Sequence, residues 1–589
     1  MQLQDNKRCK SVTCYVEKFK YWVKSLFSGH QFNPMNRRHF VKLSALTSAS
    51  LLFSRVTSFA ADNSSIINHP DEVWAKSGDQ WFKLNHLLAL SYSHGPILVV
   101  MKQIGNALTV EARSPGMQLN AIKLKWKHRT GNSAKVLGDH YERSYGDLAW
   151  RNVDASHKNP WYVLLNDGKD TACFGVKAGA NTICWWNAGA EMLELTMDTQ
   201  SGGVGVQLGD RPLHAAEIVT MKSSEGETPF RTAQRFCKMM CPKPRLPKQP
   251  VYGINDWYFA YGNNSADLIK QITALMTDLA PDTNNRPFSV IDAGWATYSP
   301  LLPDDGGFMD DFSKPNDKFK DMHQMALDIE KLGMQPGLWT RPLCASYKDK
   351  ANLLLPKIPG RDDPKAPILD PTIDENLARI KHNIATYKEW GYKLVKHDYT
   401  TYDLMGKWGM QMNDTLTVPG WHFHNNSRTT AEIINNLYHL IRETAGDMYI
   451  IGCNTMSHLS AGVFEMNRIG DDTSGKEWER TRKMGVNTLG FRIAQHNAFY
   501  ATDGDCVGIT KDISWNRNKQ WMQLLAESGT PFFISPQPDA VGEEQKAYIK
   551  ECFTKAAKVQ PTGEPLDWMT HPQPAKWKLD GREVTFDWS

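Results

Sequence analysis

The stretch Gly391-Tyr392-Lys393-Leu394-Val395-Lys396-His397-Asp398 begins with a glycine, runs through a short apolar strand and ends on an acid. Residues 373–390 before it have the periodicity of an amphipathic helix, and a long loop at 401–426 follows it. A helix, a buried strand and a loop in this order are typical of a repeat built around a parallel sheet. This repeat decides the fold class of the second half of the chain.

The same rhythm recurs from residue 251 onwards. Strands are predicted at 251–258, 288–295, 335–341, 393–399, 448–454, 465–472, 499–506 and 531–535. Helices are predicted at 265–279, 318–332, 373–390, 428–444, 478–490 and 515–527, with only a short segment after strand five. Eight such units over roughly 290 residues predict a (β/α)8 TIM barrel.

The sequence before residue 251 has a different pattern. Short β-like runs such as Ile97-Leu98-Val99-Val100 alternate with turns up to residue 220, which predicts a β-sandwich. A helix at 230–240 and four prolines up to Pro250 then form a stiff connection. We therefore predict a leader at 1–60, a β-sandwich at 61–225, a helix and Pro-rich linker at 226–250, a catalytic barrel at 251–555 and a reduced C-terminal β region at 556–589, with a hairpin at Asp580-Gly581.

The N-terminal residues have the features of a processing signal. Met35-Asn36-Arg37-Arg38-His39-Phe40-Val41-Lys42 resembles a twin-arginine export signal, and Ser58-Phe59-Ala60 offers a small-residue cleavage site. An ordinary basic amphipathic helix is the alternative, and Arg55 interrupts the apolar region. The translation start, Met1 or Met35, is left open. We expect the protein to be exported, to the periplasm or outside the cell.

The composition and charge of the chain indicate which classes of partner to expect. The chain has 589 residues, of which 41% are apolar, and no run of eighteen apolar residues. Residues 1–60 carry ten Lys and Arg and two Asp and Glu, so the remainder has 58 basic and 62 acidic residues and a formal charge of −4. This balance predicts neither a nucleic-acid partner nor a membrane partner. The eight cysteines after residue 60 are too sparse for a disulfide scaffold.

Acids and tryptophans dominate the carboxyl ends of the predicted barrel strands, where the working groups of such barrels lie. The ends carry Asp256-Trp257, Asp292, Trp339, Asp398, Asn454, Asp471-Asp472, Asp503 and Asp505. Carboxylates bind hydroxyls and perform acid–base chemistry, and indole rings stack on sugar rings. The pair His422 and His424 lacks a matching acidic motif, and no Gly-x-Ser-x-Gly follows a strand, so we expect neither a metal nor a cofactor.

Asp398 and Asp472 end strands four and six, which have the same parity, so their side chains are expected in comparable layers. Two strand spacings of ~4.8 Å separate their backbones, and inward-pointing side chains shorten the gap between the carboxyl groups. A separation near ~5–5.5 Å between the two carboxyl groups fits a retaining glycosidase, although these strand spacings also allow the wider gap of an inverting one.

Three motifs in order carry a resemblance to a known family. They are Gly391 to Asp398, Ile450-Ile451-Gly452-Cys453-Asn454, and Arg468-Ile469-Gly470-Asp471-Asp472-Thr473. The chain resembles the clan of α-galactosidases and melibiases over residues 250–540, closest to the bacterial members of glycoside hydrolase family thirty-six. The resemblance implies a retaining exo-α-glycosidase that acts on an oligosaccharide or glycoside, with a homo-oligomer left open.

The resemblance also implies roles for individual residues. Asp398 is the nucleophile and Asp472 the acid/base, with Asp471 as the rival for the second role. The residues expected to contact the sugar are Asp292, Lys396, Arg468, Cys453, Trp257 and Trp339. For Asp503 and Asp505 a supporting structural role is the better interpretation.

The strand-two motif departs from the family pattern. Family α-galactosidases usually have two adjacent acids there, whereas Ala293 follows Asp292 in this chain. A site that lacks one hydrogen-bond acceptor discriminates hydroxyl orientation less well. An α-N-acetylgalactosaminidase, a β-L-arabinopyranosidase, a transglycosylase of the same clan and a carbohydrate-binding barrel without catalysis therefore stay open.

Overall fold

The structure is a computed structural model, and it describes residues 69–131, 133–298, 309–346, 348–358 and 366–589. These residues belong to one compact unit. The predicted leader and export signal lie outside the described residues.

The N-terminal part consists of two large antiparallel sheets and a two-stranded one, Gln200–Ser201 with Val204–Gly205. In spatial order, the six-stranded sheet contains Asp154–Pro160, Ile183–Ala188, Met192–Asp198, Ala121–Lys127, Glu72–Ser77 and Gln80–Lys83. The nine-stranded sheet contains Asn85–His86, Ser91–His94, Ile97–Ile104, Ala107–Arg113, Leu213–Lys222, Thr171–Val176, Tyr162–Asn166, Lys135–Gly138 and Arg151–Asn152.

These two sheets pack against each other because one face of each is apolar. Along Ala121–Lys127, for example, Ile122, Leu124 and Trp126 are buried while the lysines between them are partly exposed. Phe174 of the larger sheet lies 6.1 Å from Trp186 of the smaller one, measured between ring centroids. A sheet-rich N-terminal region is thus present, as the sequence predicts. The helix Pro229–Met240 follows it.

The second half is a parallel sheet surrounded by helices. Its strands, in spatial order, are Ala501–Asp503, Met466–Arg468, Tyr449–Gly452, Leu394–His397, Gln335–Thr340, Phe288–Ile291, Tyr252–Asn255, Phe532–Pro536 and Val507–Ile509. The first and last of these are separated in the chain only by Gly504-Asp505-Cys506. The sheet therefore closes on itself within strand seven, and it fits the predicted TIM barrel.

Strand seven differs from its prediction as one continuous strand. Its first half pairs with strand six, and its second half pairs with strand eight. Asp505, between the halves, has a φ of 75° and accepts hydrogen bonds from Thr473 N and Cys506 N at 2.8 and 2.7 Å. The break is thus stabilised by side-chain contacts rather than by the ladder of the sheet.

Helices of different lengths cover the barrel. Thr429 caps one of them and forms a capping box with Glu432, which satisfies the free N–H groups of its first turn. The helices are Trp257–Ala260, Ala266–Thr277, Met322–Lys331, Asp374–Glu389, Thr400–Met405, Thr430–Ala445, Ser457–Ser460, Trp478–Thr481, Thr488–Arg492, Trp515–Glu527 and Glu543–Ala556. Shorter 3-10 turns lie at Ala351–Leu353, Gly409–Asn413, Ile493–Gln495 and Pro538–Ala540.

Two helix predictions need correction. The helix expected at 478–490 is interrupted by a π-helical segment, Arg482–Asn487, and the helix Glu543–Ala556 was not predicted. A Cβ on Gly470 would lie 2.1 Å from the carbonyl oxygen of Met484, so the π segment packs directly on the loop that carries Asp471 and Asp472. The interruption thus shapes the rim of the barrel.

A three-stranded antiparallel sheet, Glu564–Pro565, Lys576–Leu579 and Arg582–Thr585, ends the chain, with the turn at Asp580-Gly581. Within the described ranges, no helix combines the length and the apolar character that crossing a bilayer requires.

Candidate active site

The barrel interior contains an apolar plug with a polar layer above it. Val290, Leu394, Ile451, Met466 and Ala501 each come from a different strand and belong to one buried cluster. Side chains of a strand return to the same face every second residue. The next inward positions are therefore Asp292, Lys396, Cys453, Arg468 and Asp503. Of this layer, Asp292 and Lys396 line the candidate site and form its floor.

Asp292 and Lys396 form a buried ion pair in this floor. The Lys396 ammonium donates to Asp292 Oδ2 at 2.7 Å, and Asn255 Nδ2 donates to the same oxygen at 2.8 Å. Burial lowers the pKa of Lys396, but the charge of Asp292 outweighs it and holds that pKa well above its ordinary value. Asp256 accepts the backbone N–H of Asp292 at 2.7 Å, and burial together with Asp292 raises the pKa of Asp256 to about 7.

Lys396→Met is expected to destabilise the protein by about 3–5 kcal/mol, because Asp292 would stay buried without a charge partner. Denaturant unfolding measures the loss. Lys546→Met is the matched control, since Lys546 pairs with Glu543 at 2.8 Å on the surface and such pairs contribute little. An equal change in both variants would contradict the importance of the buried pair.

Asp398 lies directly after strand four and is held by three N–H donors. Trp339 Nε1 donates to Oδ2 at 3.0 Å, while the backbone N–H groups of Tyr399 and Asn454 donate to Oδ1 at 2.7 and 3.1 Å. Tyr399 has a φ of 67°, an uncommon conformation for a residue with a side chain. The chain thus turns sharply after Asp398, and the carboxylate is fixed from strands three, four and five.

Asp471 and Asp472 lie in the loop after strand six, among arginines. Arg468 Nη2 contacts Asp472 Oδ1 at 2.9 Å, and Arg143 Nη1 contacts the same oxygen at 3.4 Å. Burial raises the pKa of Asp472, but Arg468, Arg143, Lys396 and Arg480 outweigh burial and hold that pKa below its ordinary value.

The two neighbouring acids differ in how much of each is accessible. Arg143 contacts Asp471 Oδ1 at 3.1 Å and Arg480 contacts Asp471 Oδ2 at 2.8 Å, so both oxygens are engaged. Both arginine contacts of Asp472 use Oδ1 alone. The side chain of Asp472 is 37% exposed, against 18% for Asp471. Asp472 is therefore the better placed of the two to meet a ligand.

Asp398 and Asp472 line the same cavity, which has a volume of about 660 Å³. This is within the usual size range of ligand pockets. The predicted residues on its wall are Asp292, Lys396, Asp398, Asp472, Trp257 and Trp339, and the wall also includes Ala293, Phe312, Tyr399 and Arg341. Six of the eight predicted site residues thus meet at one cavity.

Arg468 and Cys453 lie behind this wall. Each is about 1% exposed, and the Arg468 guanidinium is engaged by Asp505 at 2.5 Å and by Tyr258 Oη at 3.2 Å in addition to Asp472. Arg468 Nη1 approaches Cys453 Sγ at 3.9 Å. The geometry assigns them to the support of the acidic loop, and their predicted contact with a sugar stays a prediction.

Several residues at this cavity were not predicted from the sequence, among them four that lie outside the predicted motifs. Arg143 and Tyr145 come from the N-terminal sheet-rich region, while Trp408 and Arg480 come from barrel loops. The Arg143 guanidinium lies 5.5 Å from the centre of the Trp408 ring, and that ring stacks on Tyr402 at 4.3 Å. Neither a strand end nor a motif marks these positions in the sequence.

In the described part of the chain, no group of three or more His, Cys, Asp and Glu side chains has the arrangement of a metal site. The candidate site consists of carboxylates, cations and aromatic rings.

No family model matches the chain, and no curated protein matches it in sequence. Solved structures do share its fold. An α-galactosidase from Thermus thermophilus, solved with p-nitrophenyl α-D-galactopyranoside, has a TM-score of 0.57 at 14% identity over 83% of this chain and 96% of that one. The GH36 α-galactosidase AgaA from Geobacillus stearothermophilus has a TM-score of 0.53 at 14% identity over 84% and 74%.

The galactosidase domain of the α-galactosidase–sucrose kinase AgaSK has a TM-score of 0.52 at 15% identity, over 82% of this chain and 71% of that one. These three structural neighbours are thus α-galactosidases, and AgaA is a GH36 enzyme, the group that the sequence motifs resemble. Since identity is low, the comparison shows a common fold.

Proposed function

We propose that this protein is a retaining exo-α-glycosidase that hydrolyses terminal α-galactosides. The observation that carries the proposal is the meeting of Asp398 and Asp472 at one cavity whose wall also holds indole rings and a Lys–Asp pair. Two carboxylates and a hydroxyl-binding floor are sufficient for glycoside chemistry. The fold shared with GH36 α-galactosidases supports the same assignment.

In the first step, Asp398 attacks the anomeric carbon and Asp472 donates a proton to the leaving oxygen, so that a covalent glycosyl-enzyme forms. In the second step, Asp472 removes a proton from water, which attacks the same carbon and releases Asp398. The three N–H donors on Asp398 fix its carboxylate for the attack. In this mechanism the Asp292–Lys396 pair binds ring hydroxyls and the indole of Trp257 packs against the sugar; the support is that these side chains line the cavity.

The test is a panel of nitrophenyl glycosides, with NMR of the anomer that appears first. We expect the highest kcat/KM for the α-galactoside and the α-anomer as first product, because two displacements restore the configuration. A β-anomer appearing first would refute the two-step mechanism, and no turnover of any glycoside would leave a carbohydrate-binding barrel.

The same panel tests the role of Ala293, which lies on the cavity wall after Asp292. A preference for the α-N-acetylgalactosaminide or the β-L-arabinopyranoside would assign the site to that sugar instead. Product analysis at high acceptor concentration separates hydrolysis from glycosyl transfer.

We also propose that the protein is exported through its paired arginines at 37 and 38. Cell fractionation of the full chain is expected to find activity outside the cytoplasm. An Arg37→Lys, Arg38→Lys variant should retain it inside, and an unchanged distribution would contradict export by this signal.

A further inference from the structure

A loop of the sheet-rich region reaches the rim of the barrel. It joins the strands Lys135–Gly138 and Arg151–Asn152 of the nine-stranded sheet. At its centre, Ser144 N donates to the carbonyl of Ile469 and Asp471 N donates to the carbonyl of Ser144, both at 2.9 Å. The loop thus extends the backbone pairing of strand six, next to the two acids.

Glu142, in this loop, is fully buried and receives three donors, one from the loop itself and two from the barrel. Its Oε1 accepts the backbone N–H of Gly409 at 2.7 Å and the hydroxyl of Tyr145, and its Oε2 accepts Asn454 Nδ2. A buried carboxylate with this many donors fixes the groups that surround it.

Asn454 connects Glu142 to Asp398. Its backbone N–H donates to Asp398 Oδ1 at 3.1 Å, and its side-chain oxygen accepts Tyr402 N at 2.9 Å. Asn454 therefore bonds the carboxylate with its backbone while its side chain is bound by Glu142. A shift of Glu142 moves the donor of Asp398.

Arg143, the next residue, lines the cavity and contacts the acidic loop after strand six. Its guanidinium pairs with Asp471 and Asp472 and lies over the Trp408 ring, and its side chain is 6% exposed. Glu142 and Arg143, which are consecutive in the chain, thus contact a hydrogen-bond donor of Asp398 and Asp472 itself, respectively.

On the basis of the proposed function, we propose that Glu142 and Arg143 are positioning residues for catalysis: Glu142 orients Asp398 through Asn454, and Arg143 orients Asp472 directly. The active site is then completed by the N-terminal sheets. A carboxylate moved by a fraction of an ångström from the line of attack loses much of its reactivity while the sugar still binds to the floor.

The experiment compares Glu142→Gln and Arg143→Met with Asp139→Asn in the full chain. Asp139 begins the same loop and is also buried, but it pairs with Arg492 at 2.7 Å and with Gln495 and does not line the cavity. Asp139→Asn is therefore the control for a general loss of contact between the N-terminal sheets and the barrel.

For Glu142→Gln we expect kcat to fall about 100-fold with little change in KM, because an amide cannot accept all three donors and Asp398 loses its alignment. Gly409→Ala disturbs the same contact from the barrel side, since its Cβ would lie 2.5 Å from Glu142 Cγ. Gly409→Ala should therefore lower kcat as Glu142→Gln does.

For Arg143→Met we expect the alkaline limb of the kcat/KM profile to move up by about one pH unit, because removing a cation raises the pKa of the proton donor. The proton donor is Asp472. The charged and titratable groups around it are Arg468, Lys396 and Arg480, the acids Asp471 and Asp398, and the hydroxyls of Tyr258 and Tyr399. Asp139→Asn should lower the melting temperature yet keep the wild-type kcat and pH profile.

If Glu142→Gln and Arg143→Met behave like Asp139→Asn in kcat and pH profile, the positioning roles are refuted. If wild-type protein hydrolyses no glycoside, the proposed function fails instead, and the two outcomes are separate. Should Glu142→Gln fail to fold, Gly409→Ala and Arg143→Met still decide.

Discussion

Asp398→Asn is expected to lower kcat/KM for a nitrophenyl α-galactoside by about 10⁴-fold or more, as the loss of a nucleophile does in other covalent mechanisms. Asparagine has nearly the same shape and keeps an oxygen for Trp339 Nε1 or for the backbone donors of Tyr399 and Asn454. The change removes the charge that attacks the anomeric carbon but little of the packing. Thermal unfolding should therefore stay close to the wild-type value.

Azide distinguishes a nucleophile from a group that only binds the sugar. In Asp398→Ala, azide occupies the vacated side and attacks once, so the product should be the β-galactosyl azide. A role in binding alone predicts a raised KM with kcat retained. Either retained turnover in Asp398→Asn or an α-azide from Asp398→Ala would overturn the assignment.

Much of this site follows from local sequence, because strand alternation is a local property. Leu394 and Lys396 are two residues apart, as are Met466 and Arg468, and an apolar residue in the plug therefore marks a polar one in the layer above it. The strand ends likewise predicted Asp398 and Asp472 at one rim. For these residues, the spacing in the sequence is enough to predict which side chains lie in the same layer of the barrel.

The contribution of the sheet-rich region could not be predicted in this way. Arg143 and Asp472 are 329 residues apart, and the loop around Arg143 has no periodic pattern that aims it at the barrel. Its position depends on how two folded parts pack. The break in strand seven has the same origin, since Asp505 leaves the ladder to pair with Arg468 of strand six and to accept a hydrogen bond from Thr473 N in the loop after that strand.

Asp472→Ala is expected to show an effect that depends on the leaving group. Hydrolysis of a natural oligosaccharide, whose leaving oxygen needs a proton, should slow by about 10²–10⁴-fold. A nitrophenyl or dinitrophenyl galactoside leaves without that proton, so its first step should slow far less and the glycosyl-enzyme should accumulate as a burst. Asp471→Asn is the matched control, because Asp471 has both oxygens bound by arginines.

Azide and pH complete the assignment of Asp472. In Asp472→Ala, azide attacks the glycosyl-enzyme from the side of the missing acid and should give the α-azide, opposite in configuration to the product of Asp398→Ala.

Because Arg468 and Arg143 hold the pKa of Asp472 below its ordinary value, the protonated form exists mainly at acid pH. The kcat/KM of the wild-type protein should therefore fall as pH rises from the acid side, and Asp472→Ala should lose this fall. If Asp471→Asn loses it instead, the proton donor is Asp471, and the arginines hold Asp472 only as its support.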